Sequence, residues 1–292
     1  MTLRDEHVTL DSGVELHLRV HEPASPTFVP WLLVHGLASN AQTWDGVANR
    51  LAAKGHPVVA VDQRGHGTSS KPDAGYDMAT VADDLALLID HLGWDRPAVA
   101  GQSWGGNVVV ELASRHRSIT SMIACVDGGY IRLRDRFPEW DEAVAVLSPP
   151  PLVGVPVARI EDWLATAAAD WPEEGRAGTL ANFEIRDDRT VAPRLTLDRH
   201  LKVLRGLWEH DPEARMHDIE VPVLFVLADT GDVEWTRSKE VAVDATATAA
   251  TSAEVRWFRP AHHDVHAQRP DDVAHLLHEA STSPSFWDAG AR

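Results

Sequence analysis

The sequence of 292 residues has a single cysteine, a shortage of positive charge and no long apolar run. Cys125 cannot form an internal disulfide, which is typical of a reducing cytoplasm, and we expect its side chain to be buried and unreactive. Lys and Arg number 27 against 44 Asp and Glu, and the formal net charge of −17 argues against nucleic acids and anionic membranes as partners. The first residues, "MTLRDEHVTL", are too polar for a signal peptide, and no stretch is long enough to span a membrane. We therefore expect a cytoplasmic globular protein.

Strands and helices alternate along the first 129 residues. Apolar runs such as "WLLVHG", "PVVAVD" and "PAVAGQ" predict strands that are buried on both faces, and amphipathic stretches such as "DMATVADDLALLIDH" predict helices between them. An alternating segment around a turn, "VTLDSGVELHLRVHE", predicts a hairpin before them. This order predicts an α/β fold with a mostly parallel sheet that is flanked by helices.

The alternation stops in the middle of the chain. Residues 130–215 contain several Pro and Trp and are mainly helical in pattern, and the strand–helix order resumes at "VPVLFVLAD". Because both flanks are needed to complete one sheet, we predict a core formed by 1–129 and 216–292, with a helical cap at 130–215 inserted in it. The terminal segment "TSPSFWDAGAR" is expected to be frayed.

One serine lies among three glycines where a predicted strand meets a predicted helix. The segment Gly101-Gln102-Ser103-Trp104-Gly105 follows the pattern G-x-S-x-G. Glycines at these positions allow a sharp turn that exposes the serine hydroxyl, and the N-terminus of the following helix directs its amides and its positive dipole end to the same place. The pattern predicts that Ser103 is a nucleophile.

Three further segments resemble the α/β-hydrolase fold family, in the order of that family. "LVHGLASNAQTW" is similar to its His-Gly loop, "DQRGHGTSS" to its Asp-x-Arg-Gly-x-Gly-x-Ser loop, and "AHHDVHAQRPDDVAHLL" to its terminal histidine segment. The resemblance implies an oxyanion hole formed by the backbone N–H groups of Leu37 and Trp104. We interpret the remaining polar residues of the first two loops as architectural: His35, Asp62, Arg64, His66 and Ser69.

The resemblance also implies a histidine base near the C-terminus, where His262, His263 and His266 are the candidates. The family has a proline seven residues after the base, and Pro270 lies seven residues after His263. His263 is therefore predicted to take the proton of the serine.

A zinc site is disfavoured because no matching Cys or acidic ligands follow metal spacing, and the full dinucleotide-binding pattern is missing. We predict neither a metal nor a cofactor.

The acid that should orient this histidine has three candidates at two strand ends. The family pattern has a glycine, two residues and then Asp after the strand "PVLFVLA"; Ala228 stands at the glycine position, and Asp232 fits with a one-residue insertion. We predict Asp232 as the acid. Asp127, after the preceding strand in "CVDGG", is the first alternative, and Asp229 is the second. A carboxylate at either strand end could reach the other nitrogen of His263.

A serine, a histidine and an aspartate on this scaffold imply a serine hydrolase that cleaves an ester-type bond, a carboxylic ester or a lactone, through an acyl-enzyme. Serine at the elbow disfavours the dehalogenase and epoxide-hydrolase branches, which carry aspartate there. We expect a small, apolar substrate and a pocket lined by Trp104, Trp235 and Trp140. A cofactor-free lyase, cyclase or perhydrolase and a small-molecule receptor on the same fold are the alternatives. The sequence leaves the substrate and the oligomeric state open.

Overall fold

The computed structural model describes residues 1–288 and is built around an eight-stranded sheet. The strands, in chain order, are β1 (Thr2–Thr9), β2 (Glu15–Glu22), β3 (Trp31–Val34), β4 (Val58–Asp62), β5 (Ala98–Gln102), β6 (Met122–Val126), β7 (Val155–Pro156), β8 (Phe183–Ile185), β9 (Thr190–Pro193), β10 (Val223–Ala228) and β11 (Ala253–Phe258). The large sheet has the order β1-β2-β4-β3-β5-β6-β10-β11. The strands from β4 to β11 in this order run parallel, whereas β2 pairs antiparallel with both β1 and β4.

The helices lie between these strands, and a 3₁₀ turn, Ala41–Trp44, precedes the first of them. They are α1 (Asp45–Lys54), α2 (Met78–His91), α3 (Trp104–Arg115), α4 (Leu133–Arg136), α5 (Trp140–Leu147), α6 (Val157–Ala167), α7 (Glu173–Leu180), α8 (Leu197–Glu209), α9 (Pro212–Met216), α10 (Val233–Ala249), α11 (Val265–Gln268), α12 (Pro270–Thr282) and α13 (Ser285–Asp288). None of the helices described is long and apolar enough to cross a membrane.

The central strands are buried on both faces, as their unbroken apolar runs predict. Every residue of β3, β4, β5, β6 and β10 is buried. Along β3, Leu32 packs into the apolar cluster on one face of the sheet and Leu33 into the cluster on the other face. The predicted α/β fold with a mostly parallel sheet is confirmed.

The segment between β6 and β10 differs in part from its helical pattern. It contains α4 to α9, but also a small antiparallel sheet with the order β7-β9-β8. These strands have two to four residues, which is too short for an alternating pattern to be recognised. The segment packs on the rest of the chain, for example where Asn40 Nδ2 donates to the carbonyl of Gly178 at 2.8 Å. The division into a core and a cap at 130–215 stays a prediction.

The end of the described chain forms a short helix. The helix α13 follows α12, and Trp287 Nε1 donates to the carbonyl of Ala280 at 3.0 Å. The expected fraying of this end stays a prediction, and its last part, 289–292, lies outside the described residues.

Candidate active site

Ser103 occupies a strained turn between β5 and α3. Its φ of 53° and ψ of −120° lie in a region that costs a non-glycine residue about 1–3 kcal/mol. Neighbouring chain leaves no room for side chains on either side: a Cβ on Gly101 would clash with the carbonyl of Gly105, and a Cβ on Gly105 would clash with the carbonyl of His35. The glycines of the motif therefore permit the close packing that holds the serine in this conformation.

The two residues whose backbone N–H groups were predicted to form an oxyanion hole, Leu37 and Trp104, line the same cavity as the serine. Trp104 is the first residue of α3, so its N–H lies ahead of the first hydrogen bond within the helix. Within residues 1–288, the N–H of Leu37 has no hydrogen-bond acceptor in the protein. Leu37, Trp104, Ser103 and His263 all line one cavity. The structure thus brings together four of the residues that the motifs predicted.

Asp127 is the carboxylate that contacts the predicted base. Its Oδ2 lies 2.6 Å from Nδ1 of His263. Asp127 directly follows β6, is 1% exposed and has a φ of 44°, and its Oδ1 accepts a hydrogen bond from the backbone N–H of Ala228 at 3.0 Å. This pairing was the first alternative of the sequence analysis.

The prediction that Asp232 is the partner of the histidine is wrong. Asp232 is exposed and caps the N-terminus of α10, where its Oδ1 accepts from the N–H of Trp235 at 3.0 Å. Asp229, the second alternative, accepts from Thr236 Oγ1 at 2.7 Å and pairs with Arg259 at 2.9 Å. Because α10 begins soon after β10, both carboxylates bind groups in the first turn of this helix, and Asp229 also binds Arg259.

Lys239, which the sequence analysis did not identify, contacts the same buried carboxylate. Its Nζ lies 2.8 Å from Oδ1 and 3.0 Å from Oδ2 of Asp127, and it also donates to the carbonyl of Ala228 at 2.7 Å. The lysine side chain is 2% exposed. A buried ion pair therefore lies directly behind the histidine.

The contacts between His263 and Asp127 shift the pKa values of these two side chains in opposite directions. Removal from water disfavours the charged imidazole, but the hydrogen bond with Asp127 and the negative charges of Asp264 and Asp127 together outweigh it and hold the pKa of His263 above its ordinary value. Burial also opposes the charged form of Asp127, yet the hydrogen bonds from His263 and Lys239 keep the pKa of this carboxyl below its ordinary value. The pair thus favours a carboxylate beside an imidazole that can accept a proton.

The two loops that surround the site are held by buried hydrogen bonds. His35 Nδ1 donates to the carbonyl of Gly36 at 2.7 Å, and its Nε2 accepts from the N–H of Gln63 at 3.1 Å. Asp62 accepts from the N–H of Ala41 at 2.7 Å, and Arg64 and His66 are also buried. Burial lowers the pKa of His35 and favours the neutral ring that these bonds require. This geometry agrees with an architectural role for these side chains.

The cavity above Ser103 has a volume of about 1030 Å³ and a mainly apolar lining that extends from the elbow along α10. Trp104 and Trp235 belong to this lining, as predicted. Trp140 does not: its ring packs against that of Trp208 with a centroid distance of 5.9 Å. Other apolar side chains come from the segment after β6 and from α10, namely Ile131, Leu133, Leu147, Leu204, Leu207, Val241 and Ala242.

The three terminal histidines do not converge on one point. His262 Nδ1 accepts from the N–H of Asp264 at 3.1 Å, whereas the ring of His266 is buried and lies 4.4 Å from that of Trp44. Across residues 1–288 no cluster of His, Cys, Asp and Glu is arranged to hold a metal ion. Cys125 is buried, and burial raises the pKa of its thiol.

Comparison with known proteins agrees with this architecture. Residues 29–149 match the family model described as the alpha/beta hydrolase fold. Curated relatives include a soluble epoxide hydrolase from Corynebacterium sp., 35% identical over 41% of this chain and 42% of its own length. A 2-(acetamidomethylene)succinate hydrolase from Mesorhizobium japonicum is 34% identical over 38% of each chain. The chain therefore matches less than half the length of these relatives.

Among solved structures, that of E-2-(acetamidomethylene)succinate hydrolase superposes with a TM-score of 0.80 at 23% identity and covers 96% of this chain and 99% of its own. Likeness of this extent at such low identity is informative about the fold. Together with the elbow, the sheet order and the matched segment, it shows that this chain has the α/β-hydrolase fold.

Proposed function

We propose that this protein is a serine hydrolase in which Ser103, His263 and Asp127 form the catalytic triad. The observation that carries the proposal is the 2.6 Å contact between His263 Nδ1 and the buried carboxylate of Asp127, in the cavity that also holds the strained serine. An aspartate in this position fixes the tautomer of the imidazole and stabilises the imidazolium. The ring nitrogen Nε2 is then the one that accepts a proton.

In the first half of the reaction, Oγ of Ser103 attacks the carbonyl carbon of the substrate while His263 Nε2 takes its proton. The carbonyl oxygen becomes an oxyanion, which the amides of Leu37 and Trp104 stabilise. When the intermediate collapses, the bond to the leaving oxygen breaks and His263 gives that oxygen the proton. In the second half, His263 deprotonates a water that attacks the acyl carbon; the bond between this carbon and Oγ then breaks, His263 returns the proton to Oγ of Ser103, and the carboxylic acid product leaves.

The lining of the cavity supports an ester or lactone with an apolar acyl group as the substrate. A volume of about 1030 Å³ is at the upper end of the range for small-molecule sites, and the surface that lines it is mainly apolar, although charged side chains such as Arg136 and Glu213 also border it. Relatives named as hydrolases support hydrolysis as the reaction class. For the epoxide-hydrolase branch we expect aspartate at the elbow, so Ser103 favours acyl transfer.

Other properties follow as parts of the same proposal. A small molecule is the partner, and neither nucleic acid nor a membrane surface suits a net charge of −17. The single, buried Cys125 supports a cytoplasmic location. A cofactor-free enzyme of another reaction class and a receptor are the alternatives on this fold.

The test is to replace the serine and assay a panel of short- and long-chain esters, lactones and amides, together with labelling by a fluorophosphonate. Ser103→Ala should reduce both labelling and hydrolysis by several orders of magnitude, because the members of a triad act as a unit. Ser238→Ala is the matched control, since Ser238 lines the same cavity and its hydroxyl donates to the carbonyl of Glu234. Retained hydrolysis in Ser103→Ala would refute the proposal, and a wild-type protein that binds panel compounds without turnover would favour the receptor.

A further inference from the structure

Lys239 is a buried lysine whose three ammonium donors all have acceptors. Transfer of a lone ammonium from water into a protein interior costs several kcal/mol, so such a group is found where it is paired. The acceptors are both oxygens of Asp127, at 2.8 and 3.0 Å, and the carbonyl of Ala228, at 2.7 Å. Because an ammonium has three N–H groups, this set of acceptors satisfies it completely.

These bonds fix the carboxylate of Asp127 from three parts of the fold. Lys239 reaches it from the middle of α10, the N–H of Ala228 from the end of β10, and His263 from the loop after β11. Oδ2 is shared between the lysine and the imidazole, whereas Oδ1 is shared between the lysine and the backbone amide. The carboxylate is thereby held in one orientation toward Nδ1 of the histidine.

The ammonium of Lys239 also changes the net charge next to the imidazole of His263. Without it, a protonated His263 would face an uncompensated carboxylate; with it, the carboxylate is already paired when the imidazole takes up a proton. The positive charge of Lys239 lowers the pKa of His263, in opposition to the nearby acids. The titratable and charged groups that act on this imidazole come from the end of β6, from α10 and from its own loop, namely Asp127, Lys239, Asp264 and His266, and Tyr130 acts on Asp127.

We propose that Lys239 is a positioning residue that holds the Asp127 carboxylate against His263 and offsets part of the negative charge next to the imidazole, so that the imidazole stays unprotonated, and able to act as a base, to lower pH than it would without the lysine. The second part rests on the proposed function, in which His263 is the base. Lys239 contacts neither the nucleophile nor the substrate carbonyl in this account, and it acts through its bonds to Asp127 and through its charge near the imidazole.

The experiment measures the titration of the His263 imidazole by NMR in a Ser103→Ala background, with Lys239→Met and Lys239→Gln as the neutral variants. Met retains the length of the side chain without charge, and Gln retains a donor without charge. Lys239→Arg keeps the charge at the site. Lys54→Met removes one positive charge at an exposed position of α1 and serves as the matched control.

In both neutral variants the midpoint of His263 should move to higher pH by about one unit, the size expected for a unit charge a few ångströms away at a high effective dielectric constant. Lys239→Arg and Lys54→Met should titrate close to the parent. A folded Lys239→Met or Lys239→Gln with an unchanged midpoint would overturn the proposal. Failure of both neutral variants to fold would also overturn it, because the lysine would then serve the fold and not the base.

A second readout separates this proposal from the proposed function. In proteins with Ser103 intact, fluorophosphonate labelling should show an acidic limb that Lys239→Met moves to higher pH, with about tenfold slower labelling below both midpoints and similar rates above them. If the wild-type protein is not labelled at any pH, the proposed hydrolase activity fails, while the NMR titration still decides the role of Lys239.

Discussion

The ends of β6 and β10 each carry an aspartate, and the two strands are neighbours in the sheet, with Val126 opposite Val226. Asp127 at the end of β6 is 1% exposed and bonded to His263, whereas Asp232 beyond β10 is exposed and caps α10. A position near the histidine segment along the sheet is therefore not sufficient to make an aspartate the partner of His263. A carboxylate becomes the partner of the histidine when the local backbone leaves its oxygens available and a buried environment holds them in place.

The largest effect expected from this comparison is that of Asp127→Asn on turnover. An amide in place of the carboxylate neither stabilises the imidazolium nor selects its tautomer, which in the serine-protease example costs about ten thousand-fold in rate. Asn accepts a positive φ such as the 44° of Asp127, so the backbone can be retained. We expect hydrolysis to fall at least about a hundred-fold, measured as kcat on the best ester of the panel.

Asp127→Asn also leaves Lys239 buried without its charge partner, so thermal unfolding must be followed in parallel. Breaking a buried ion pair costs about 3–5 kcal/mol, and the assay should be run well below the lowered Tm. Asp229→Asn is the matched carboxylate-to-amide change at the other strand end. Equal losses of turnover in the two folded variants would contradict the assignment.

The sequence could predict the nucleophile and the base because their signals are local. The elbow of Ser103 lies in five consecutive residues, and His263 is defined by its distance from Pro270. The acid depends instead on which strands become neighbours and on where α10 begins, neither of which a motif records. The missed signal was in α10, where Thr236, Lys239, Val243 and Thr246 are buried at helical spacing. A lysine on the buried face of a helix indicates a buried acid, and Asp127 is that acid.

The terminal loop offers a second comparison, because one of its histidines has an acidic partner and another is buried without one. His263 has an acidic partner and a raised pKa, so its contribution to stability is complete below its unfolded pKa and is lost as the pH rises through the folded value. His266 has no hydrogen-bond partner for either ring nitrogen within residues 1–288, and burial lowers its pKa to about 4. It remains neutral in the fold while the unfolded chain takes up a proton below about pH 6.5.

The free energy of unfolding should therefore fall as the pH decreases from about 6.5 to about 4 through this one group, by about 2 kcal/mol at pH 5. His266→Phe retains an aromatic ring beside Trp44 and removes the titration, so urea unfolding at pH 7 and pH 5 should show a smaller loss than in the wild type. His262→Phe is the control, since its side chain is about half exposed. The same acid sensitivity in His266→Phe as in the wild type would show that other groups cause it.

The smallest effect on turnover is expected from the replacement of Asp232. Asp232→Ala removes the carboxylate that caps α10, and loss of such a cap costs about 1 kcal/mol of stability. Because Lys239 lies farther along the same helix and is anchored by its own bonds, turnover should stay within a few-fold of the wild type. Asp232→Asn should retain more of the cap, since Asn is also a good N-cap residue. A hundred-fold loss of turnover in a folded Asp232→Ala would restore this residue as the candidate acid.

The most direct measurement of the central pairing is the downfield proton resonance of the hydrogen bond at His263 Nδ1, recorded by NMR in the wild type, in Asp127→Asn and in Asp232→Asn. A hydrogen bond to a carboxylate at 2.6 Å shifts this proton strongly. We predict that the resonance is present in the wild type and in Asp232→Asn and is lost, or moved far upfield, in Asp127→Asn. A resonance that persists in Asp127→Asn and disappears in Asp232→Asn would contradict the account.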